Sequence, residues 1–396
     1  MSAPIKQHLI DPEICIRCYT CEMSCPIEAI THDDNNVVVD NSKCDQCMDC
    51  IPVCPTGSID NWRVVETAYT VEEQLEWMEL PEQQEFKSTE GDSASDTIEA
   101  LDDSIAALLQ EAHSGAGGKS VAPSSASKPT INLHNLSKPA VATVKGNYRL
   151  TEDADHDVRH IILDLGNQPF PVLEGQSVGI IPPGTDDQGK PFLPRLFSVS
   201  SPRDGERPNF NNLSLTVKRE AKGICSNYLC DLAKDDEVKI TGPFGATFLL
   251  PDDPDARLLM ICTGTGAAPM RAFTMRRERT VGSKTGGMLM FFGARTPEAL
   301  PYFGPLQKLP TSLIDSHLVY SRSDDKQYVQ QAMLQESEKV AAFLKDSSTH
   351  IYLCGLRDME TGVNKALSTI SESIGEPWAD LRERLRSEGR FHVETY

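Results

Sequence analysis

Eight of the twelve cysteines fall between Cys15 and Cys54, in two runs of one pattern. Cys15, Cys18, Cys21 and Cys25-Pro26 read C-x2-C-x2-C-x3-C-P, and Cys44, Cys47, Cys50 and Cys54-Pro55 repeat it without a gap or substitution. Thiolates at this spacing ligate iron in cubane clusters, because a tight loop turns three sulfurs toward one face while the fourth, on the next turn, reaches the other cluster. That crossing assigns Cys15, Cys18, Cys21 and Cys54 to one [4Fe-4S] cluster and Cys44, Cys47, Cys50 and Cys25 to a second. Cysteine pairs at C-x2-C also hold zinc, but four closely packed cysteines closed by a proline suit a cubane better than a tetrahedral knuckle.

A second constellation lies far along the chain. In RLFSVSS, Arg195 can neutralise a pyrophosphate and Ser198 can hydrogen-bond a flavin ring nitrogen from a barrel strand. In KGICSN, Gly223 lets backbone amides approach phosphate oxygens and Ser226 adds a hydroxyl. ICTGTGAAPMR, from Ile261 to Arg271, is a small-residue turn between an apolar strand and a helix, where a dinucleotide can come close; it lacks the G-x-G-x-x-G order.

These residues need elements to hold them. Up to about residue 65 the chain contains two matching halves, DPEICIRCYTCEMSCPIEAI and NSKCDQCMDCIPVCPTGSID. Residues 66–110 turn acidic, with Ile98, Leu101, Ile105 and Leu108 at helical spacing, and 113–130 are the Gly, Ser, Ala and Pro of a flexible tether, where the main hinge is placed. HIILDL, NLSLTVKR and EVKIT alternate between Gly/Pro turns, predicting an antiparallel barrel or sandwich over 138–252, of which the barrel is taken. RLLMICT, GGMLMFFGA, SHLVYS and HIYLCG then read as buried parallel strands of an α/β domain over 253–396, whose ligands sit at the C-terminal strand ends. The fold class is therefore multi-domain: an α+β two-cluster ferredoxin-like head over 1–65, a connector over 66–137, the β-barrel and a Rossmann-like α/β domain.

The head resembles bacterial-type two-cluster ferredoxins, which implies one-electron relay. RLFSVSS, KGICSNYLCDL, EVKITGPFG, TGTGAAPMR, YSR, YLCGL and the terminal VETY resemble plant-type ferredoxin-NADP reductases, in the same order over about residues 138–396. That resemblance implies FAD held by Arg195, Leu196, Phe197, Ser198 and Lys218, by Gly223, Ile224, Cys225 and Ser226, and by Thr265. Tyr396 would stack on the flavin where the nicotinamide enters.

It further implies NADP binding by Ser321, Arg322, Lys326, Tyr328 and Gln330, with Gly355 and Leu356 beyond. Hydroxyl, cations and a stacking ring suit a 2'-phosphate and adenine, and so NADPH over NADH. Cys354 would sit against the nicotinamide and Glu394 would orient that ring or shuttle protons; with Ser198 and Tyr396 they are the candidate catalytic residues. Phe197 stands where the family usually has Tyr, and the segment after Arg219 is short, leaving FMN open beside FAD.

A two-cluster head on such a body, joined by an acidic connector, resembles the reductase components of two-part oxygenases, above all that of benzoyl-CoA 2,3-epoxidase. The implied acceptor is a separate di-iron oxygenase; a general NADPH-ferredoxin oxidoreductase with a fused ferredoxin and a non-catalytic redox sensor are the alternatives. Acidic residues outnumber basic ones 58 to 38, and a formal charge of -20 argues against nucleic acid or an anionic membrane as target. No apolar run approaches the ~20 residues of a membrane span, so a cytoplasmic location is expected.

Overall fold

Between its cysteine loops the N-terminal repeat offers only short β-branched runs for pairing, and its strands are correspondingly brief. The computed structural model describes residues 5–81 and 121–395, apart from positions 13, 14, 16, 46, 48, 49, 51–53, 55–57, 60–62, 154, 186–188, 190, 209, 282–286 and 303–307. It divides into two units, Met1–Asp92 and Ser93–Tyr396.

In the first unit β1 (Ile5–Gln7), helix α1 (Thr20–Ser24), β2 (Ile30–His32), β3 (Val37–Val39), β4 (Arg63–Val65) and helix α2 (Val71–Leu75) follow one another. β1 pairs antiparallel with β4, and β2 with β3, whose turn is closed by Asp33 accepting the backbone N–H groups of Asn35 and Asn36 at 2.7 and 2.6 Å. The unit runs past the boundary at 65 expected from the repeat. Gln7 exchanges two hydrogen bonds with the Tyr69 backbone at 2.9 and 2.8 Å, and buried Gln74 donates to the carbonyl of Val39 at 2.9 Å. Residues 66–81 are thus part of this unit, because polar side chains reaching between neighbouring segments satisfy backbone groups that a core this small cannot.

The described part of the second unit begins with a strap. Asn132 and His134 donate to the backbone of Pro243 and Gly242 at 2.9 Å each, Gln176 donates to Thr130 O at 3.0 Å, and Arg203 donates to Ser127 at 2.8 Å. The tether expected over 113–130 therefore does not extend through 121–130, where the body holds the strap at the Thr130 carbonyl and the Ser127 hydroxyl; 113–120 and the helical pattern over 98–108 lie outside the described residues.

The strap leads into β5 (Ala140–Arg149), β6 (Val158–Asp164), β7 (Ser177–Ile181), β8 (Arg195–Ser198), β9 (Asn212–Lys218), helix α3 (Ile224–Asp231) and β10 (Glu237–Phe244). These strands form one antiparallel sheet in the order β8-β7-β10-β5-β6-β9, closed where Val199, just past β8, bridges Leu215 of β9. Alternate residues such as Val144, Ile161, Ile180 and Leu215 fill its interior, which α3 seals with Cys225 and Leu229.

Next come β11 (Arg257–Thr263), helix α4 (Ala267–Val281), β12 (Met288–Ala294), β13 (Ile314–Tyr320), helices α5 (Val329–Gln335) and α6 (Ser337–Lys345), β14 (Thr349–Gly355), helices α7 (Arg357–Ser373) and α8 (Trp378–Ser387), and β15 (Phe391–Thr395). The five strands are parallel, in the order β13-β12-β11-β14-β15. One sheet face packs on α5, α6, α7 and α8, the other on α4. The chain leaves β11 toward β13 and returns to β14 on its other side, so the topology opens a crevice between the ends of β11 and β14.

Two glycines make that crevice possible. A Cβ on Gly266 would lie 2.2 Å from the carbonyl oxygen of Cys354, and Gly355, at φ +145, would put one 2.4 Å from Thr263 Oγ1. The turn after β11 and the end of β14 approach more closely than any side chain allows.

Candidate functional site

A cleft of about 1380 Å³ opens between the barrel and the α/β sheet of the second unit. The barrel contributes Arg195, Leu196, Phe197 and Ser198 from β8, Lys218 from the end of β9, and Gly223, Ile224, Cys225 and Ser226 from the first turn of α3. From the α/β side come Thr265 in the turn after β11, Ser321 and Arg322 after β13, Tyr328 and Gln330 at the start of α5, Leu356 after β14 and Glu394 in β15. Residues more than a hundred positions apart in sequence thus face one cavity.

Their local roles are specific. Gly223 N-caps α3, and Ser226 accepts from the Glu220 N–H and donates to the Gly223 carbonyl, both at 3.2 Å, so its hydroxyl closes the turn that presents α3's N–H groups. Lys218 Nζ lies 2.6 Å from Glu220, an exposed pair of the kind that contributes little and that an incoming phosphate can displace. Phe197 packs on the barrel core, and Leu196 on Phe244. Cys225 is buried, its thiol directed to the Ile180 carbonyl and pushed up to about 12 by burial.

Three expected residues stand apart from the lining. Cys354 is 1 % exposed in the sheet core, in register with Cys262, and burial first, then the charge of Glu394, pushes its thiol well up. It is packed beneath the cleft, not against it. Gly355 is pinned behind Thr263, and Lys326 lies with its ammonium 5.4 Å from the centre of the Tyr328 ring. Tyr396 lies outside the described residues.

Sequence reasoning missed other parts of the wall. Phe192 and Leu193 precede the RLFS motif, His156 comes from the β5–β6 loop and Arg295 from the end of β12; none carries a motif of its own. Also missed is the ion cluster beside the cleft. Arg271 of α4 donates to both oxygens of Glu206 at 2.6 and 2.7 Å, Ser214 donates to Glu206 at 2.9 Å, and His160 Nε2 lies 3.5 Å away. Burial alone would raise the Glu206 carboxyl, but the hydrogen bonds from His160 and Arg271 outweigh it and hold the group well below the usual carboxylate range. Tyr302 joins this network to the cleft by contacting both His160 and the cleft-lining Thr216.

In the first unit Cys15, Cys21, Cys25, Cys44, Cys50 and Cys54 share one apolar cluster with Ile10, Ile30, Val37, Val39 and Ile59. Burial pushes the Cys21 thiol up to about 11, with further contributions from Cys54 and Cys15, and that of Cys50 to about 12, with contributions from Cys44, Cys21 and Cys47. The exposed Cys18 is lowered by hydrogen bonds from Thr20 and also feels Cys54. Cys54 is thus close to the first run of cysteines although it ends the second. The Ala29 N–H donates to Cys25 Sγ at 3.3 Å, and the Ser58 hydroxyl lies 3.2 Å from Cys54 Sγ. An apolar pocket with N–H and hydroxyl donors on its sulfurs is the kind of surrounding that suits an iron–sulfur cluster, while among the described residues no three cysteines are grouped as ligands to one metal ion.

The comparisons with known proteins follow this division. Residues 7–55 match the family model of the 4Fe-4S dicluster domain, and residues 260–365 that of the oxidoreductase NAD-binding domain. The chain is 36% identical over 287 residues to a ferredoxin–NADP reductase of Synechocystis sp., a match spanning 67% of this chain and 70% of that one. It is 37% identical over 289 residues to the ferredoxin–NADP reductase of Thermosynechococcus vestitus (67% and 75%), and 34% identical over 287 residues to the chloroplastic leaf-type isozyme of Nicotiana tabacum (67% and 79%). The solved ferredoxin-NADP+ reductase from Plasmodium falciparum has the same fold, with a TM-score of 0.54 at 23% identity over 67% of this chain and 99% of that one. A closed antiparallel barrel, a parallel sheet with its crevice at the strand-order reversal, and relatives that match over two-thirds of the chain lead to one conclusion: this chain belongs to the ferredoxin–NADP reductase family.

Proposed function

We propose that this chain carries electrons from NADPH to a separate protein acceptor, using FAD in the cleft and two [4Fe-4S] clusters in the N-terminal unit. Family membership supports the coarser statement, an NADPH-dependent oxidoreductase with an iron–sulfur domain. The observation that carries the reading is the single cleft faced by barrel and α/β residues together. Bound FAD supplies hydride acceptance and one-electron release, and bound clusters supply one-electron carriage.

The chain's own groups then have definite tasks. Arg195, Lys218 and the N–H groups of Gly223, Ile224, Cys225 and Ser226 receive phosphate charge; Ser198 offers its hydroxyl to the flavin ring. Ser321, Arg322, Lys326, Tyr328 and Gln330 take the adenylate end of NADPH, and Gly355 and Leu356 its path across the sheet. Glu394, 7 % exposed at the cleft wall, orients the nicotinamide, with Tyr396 over the flavin. Cys15, Cys18, Cys21 and Cys54 hold one cluster, and Cys44, Cys47, Cys50 and Cys25 the other.

The acceptor we favour is a di-iron oxygenase, that of benzoyl-CoA 2,3-epoxidase; support comes from the pairing of a two-cluster head with a reductase body. The relatives' own names favour a second reading, a general NADPH-ferredoxin oxidoreductase with its ferredoxin fused. Anaerobic stopped-flow of cofactor-loaded protein with NADPH and with NADH, following flavin bleaching and cluster absorbance together, tests the core of the proposal. Flavin reduction by NADPH at least tenfold faster than by NADH, passed on to the clusters, is expected; flavin that NADPH never reduces would sink it. Adding the di-iron oxygenase with benzoyl-CoA should then raise NADPH oxidation, and equal rates with any ferredoxin acceptor would favour the general reductase.

A further inference from the structure

Val199 bridges Leu215 where the barrel closes, and the Ser200 N–H donates to the Ser214 carbonyl at 2.8 Å, so Ser198 and Thr216 stand opposite each other on the two closing strands. Both line the cleft. Behind Thr216 runs a series of polar groups that the binding tasks above leave unused. The Thr216 hydroxyl meets the phenol of Tyr302, the phenol oxygen lies 3.2 Å from His160 Nδ1, and His160 Nε2 lies 3.5 Å from Glu206 Oε1. Arg271 closes the far end with its two bonds to Glu206, its guanidinium 4.9 Å from the centre of the Tyr302 ring. On the neighbouring strands His160 is in register with Tyr148 of β5 and Thr216 of β9. Thr216, Tyr302 and His160 are all buried, and Tyr302 is held at φ +63, a conformation that bulky side chains seldom adopt.

The charges fix which way this series points. Burial would neutralise Glu206, but its hydrogen bonds to His160 and Arg271 keep it ionised, so it can only accept. His160 therefore turns an N–H toward it from Nε2 and keeps a lone pair on Nδ1. That lone pair accepts the Tyr302 O–H, the Tyr302 oxygen accepts the Thr216 O–H, and Thr216 is left with an oxygen lone pair at the cleft wall. Burial above all raises the Tyr302 phenol, against the pull of Arg271, so Tyr302 remains a hydroxyl, able to take one proton as it gives up another.

A hydride brings two electrons and one proton; when the electrons depart singly to one-electron carriers, the proton stays behind and must leave the cleft once per turnover. We propose that Thr216, Tyr302 and His160 carry that proton out of the cleft; this rests on the flavin and NADPH reading above. The proton arrives at the Thr216 oxygen, Thr216 passes its own to Tyr302, and Tyr302 passes its own to His160 Nδ1. The imidazolium so formed lies against the Glu206 carboxylate and releases one proton to solvent there, where the Glu206 side chain is 14% exposed. Glu206 and Arg271 are positioning residues that act through His160.

The experiment is double-mixing stopped flow on the full-length, cofactor-loaded protein in weak buffer. NADPH first bleaches the flavin, and excess ferricyanide then withdraws the electrons one at a time while flavin colour and a pH indicator are followed together. In the wild type the proton should appear with the returning flavin colour. In Tyr302→Phe and Thr216→Val it should lag about tenfold behind, less than the loss of a sole proton carrier would cost because Ser198 and Glu394 line the same cleft, and Thr216→Ser should close most of the gap. A proton that keeps pace with the flavin in either hydroxyl-deleted variant would overturn the proposal, and so would a Thr216→Ser as slow as Thr216→Val, which would leave Thr216 a packing residue. If Tyr302→Phe sheds its flavin, the Thr216 pair decides alone. Wild-type flavin that NADPH fails to bleach would overturn the underlying reading of the cleft, and this proposal with it.

Discussion

The two units solve the same problem with different means. Each sheet face of the α/β domain has a large apolar layer, 23 buried side chains on one face alone, and the barrel closes on itself through strands of up to 10 residues. The N-terminal unit has strands of 3 residues, and two of the 7 buried members of its core cluster are cysteines. It also concentrates charge: residues 1–81 contain 15 acidic and 4 basic side chains, against 34 and 31 in residues 138–396. A unit that small, with that much self-repulsion, takes its stability from what its cysteines bind, whereas the barrel and sheet stand on burial.

Removing iron breaks the comparison most directly. Chelation under reducing conditions, or the pair Cys21→Ala and Cys50→Ala, should unfold the first unit and leave the second intact, since cluster ligation replaces a core worth on the order of 10 kcal/mol by analogy with other metal-built domains. Hydrogen exchange reads both at once: amides of Val39 and Val65 should lose protection while those of Met260 and Leu353 keep theirs. Protected amides across β1–β4 in iron-free protein would show that the unit folds without its clusters. The buried Cys21 and Cys50 thiols, raised to about 11 and 12, stay protonated without iron at neutral pH, so reassembly should release protons and slow as pH falls.

The corresponding weak point of the second unit is electrostatic. Glu206 and Arg271 join the barrel side to α4, and truncating one partner strands the other in a largely buried position. Arg271→Ala should cost about 3–5 kcal/mol of the second unit's stability. Because the Glu206 carboxyl is held below its ordinary value, its contribution is complete above about pH 5 and drains away as pH falls below about 4. Glu206→Gln should therefore flatten the acid limb of the second unit's unfolding curve; an unchanged limb would mean that other carboxylates set it.

What could be foreseen from sequence follows the same division of means. The strands around Leu163, Leu215, Ile261 and Leu353 were legible because burial writes itself as alternation or as an apolar run, and most cleft residues were legible because RLFS, KGICSN and TGTG are contiguous. Glu206–Arg271 and His160–Tyr302 were not, because each joins segments whose proximity depends on how barrel and sheet pack, and a single Glu, His, Arg or Tyr has no pattern. Cys354 stands at the strand end its sequence indicated, and its burial there follows from the close packing of the Gly266 turn over its carbonyl, which no run of residues reports. The strap at 121–137 looked like linker because its partners, Gln176, Arg203 and Pro243, lie in other segments.

The smallest effect is the sharpest test of whether the units are energetically separate. Thr70 caps α2 by accepting from the Glu73 N–H at 3.2 Å, and Glu73 returns the favour by accepting from the Thr70 N–H at 2.7 Å. Through Gln74 that 5-residue helix also ties down β3, the strand behind the cysteine pocket. Thr70→Ala should cost about 1 kcal/mol. If the first unit opens on its own, that loss appears as roughly fivefold faster cluster bleaching by a chelator, with the second unit's melting temperature and flavin content untouched. A melting temperature that falls for both units together would mean that they unfold as one, and the contrast between a ligand-built and a burial-built half would then describe their composition and not their stability.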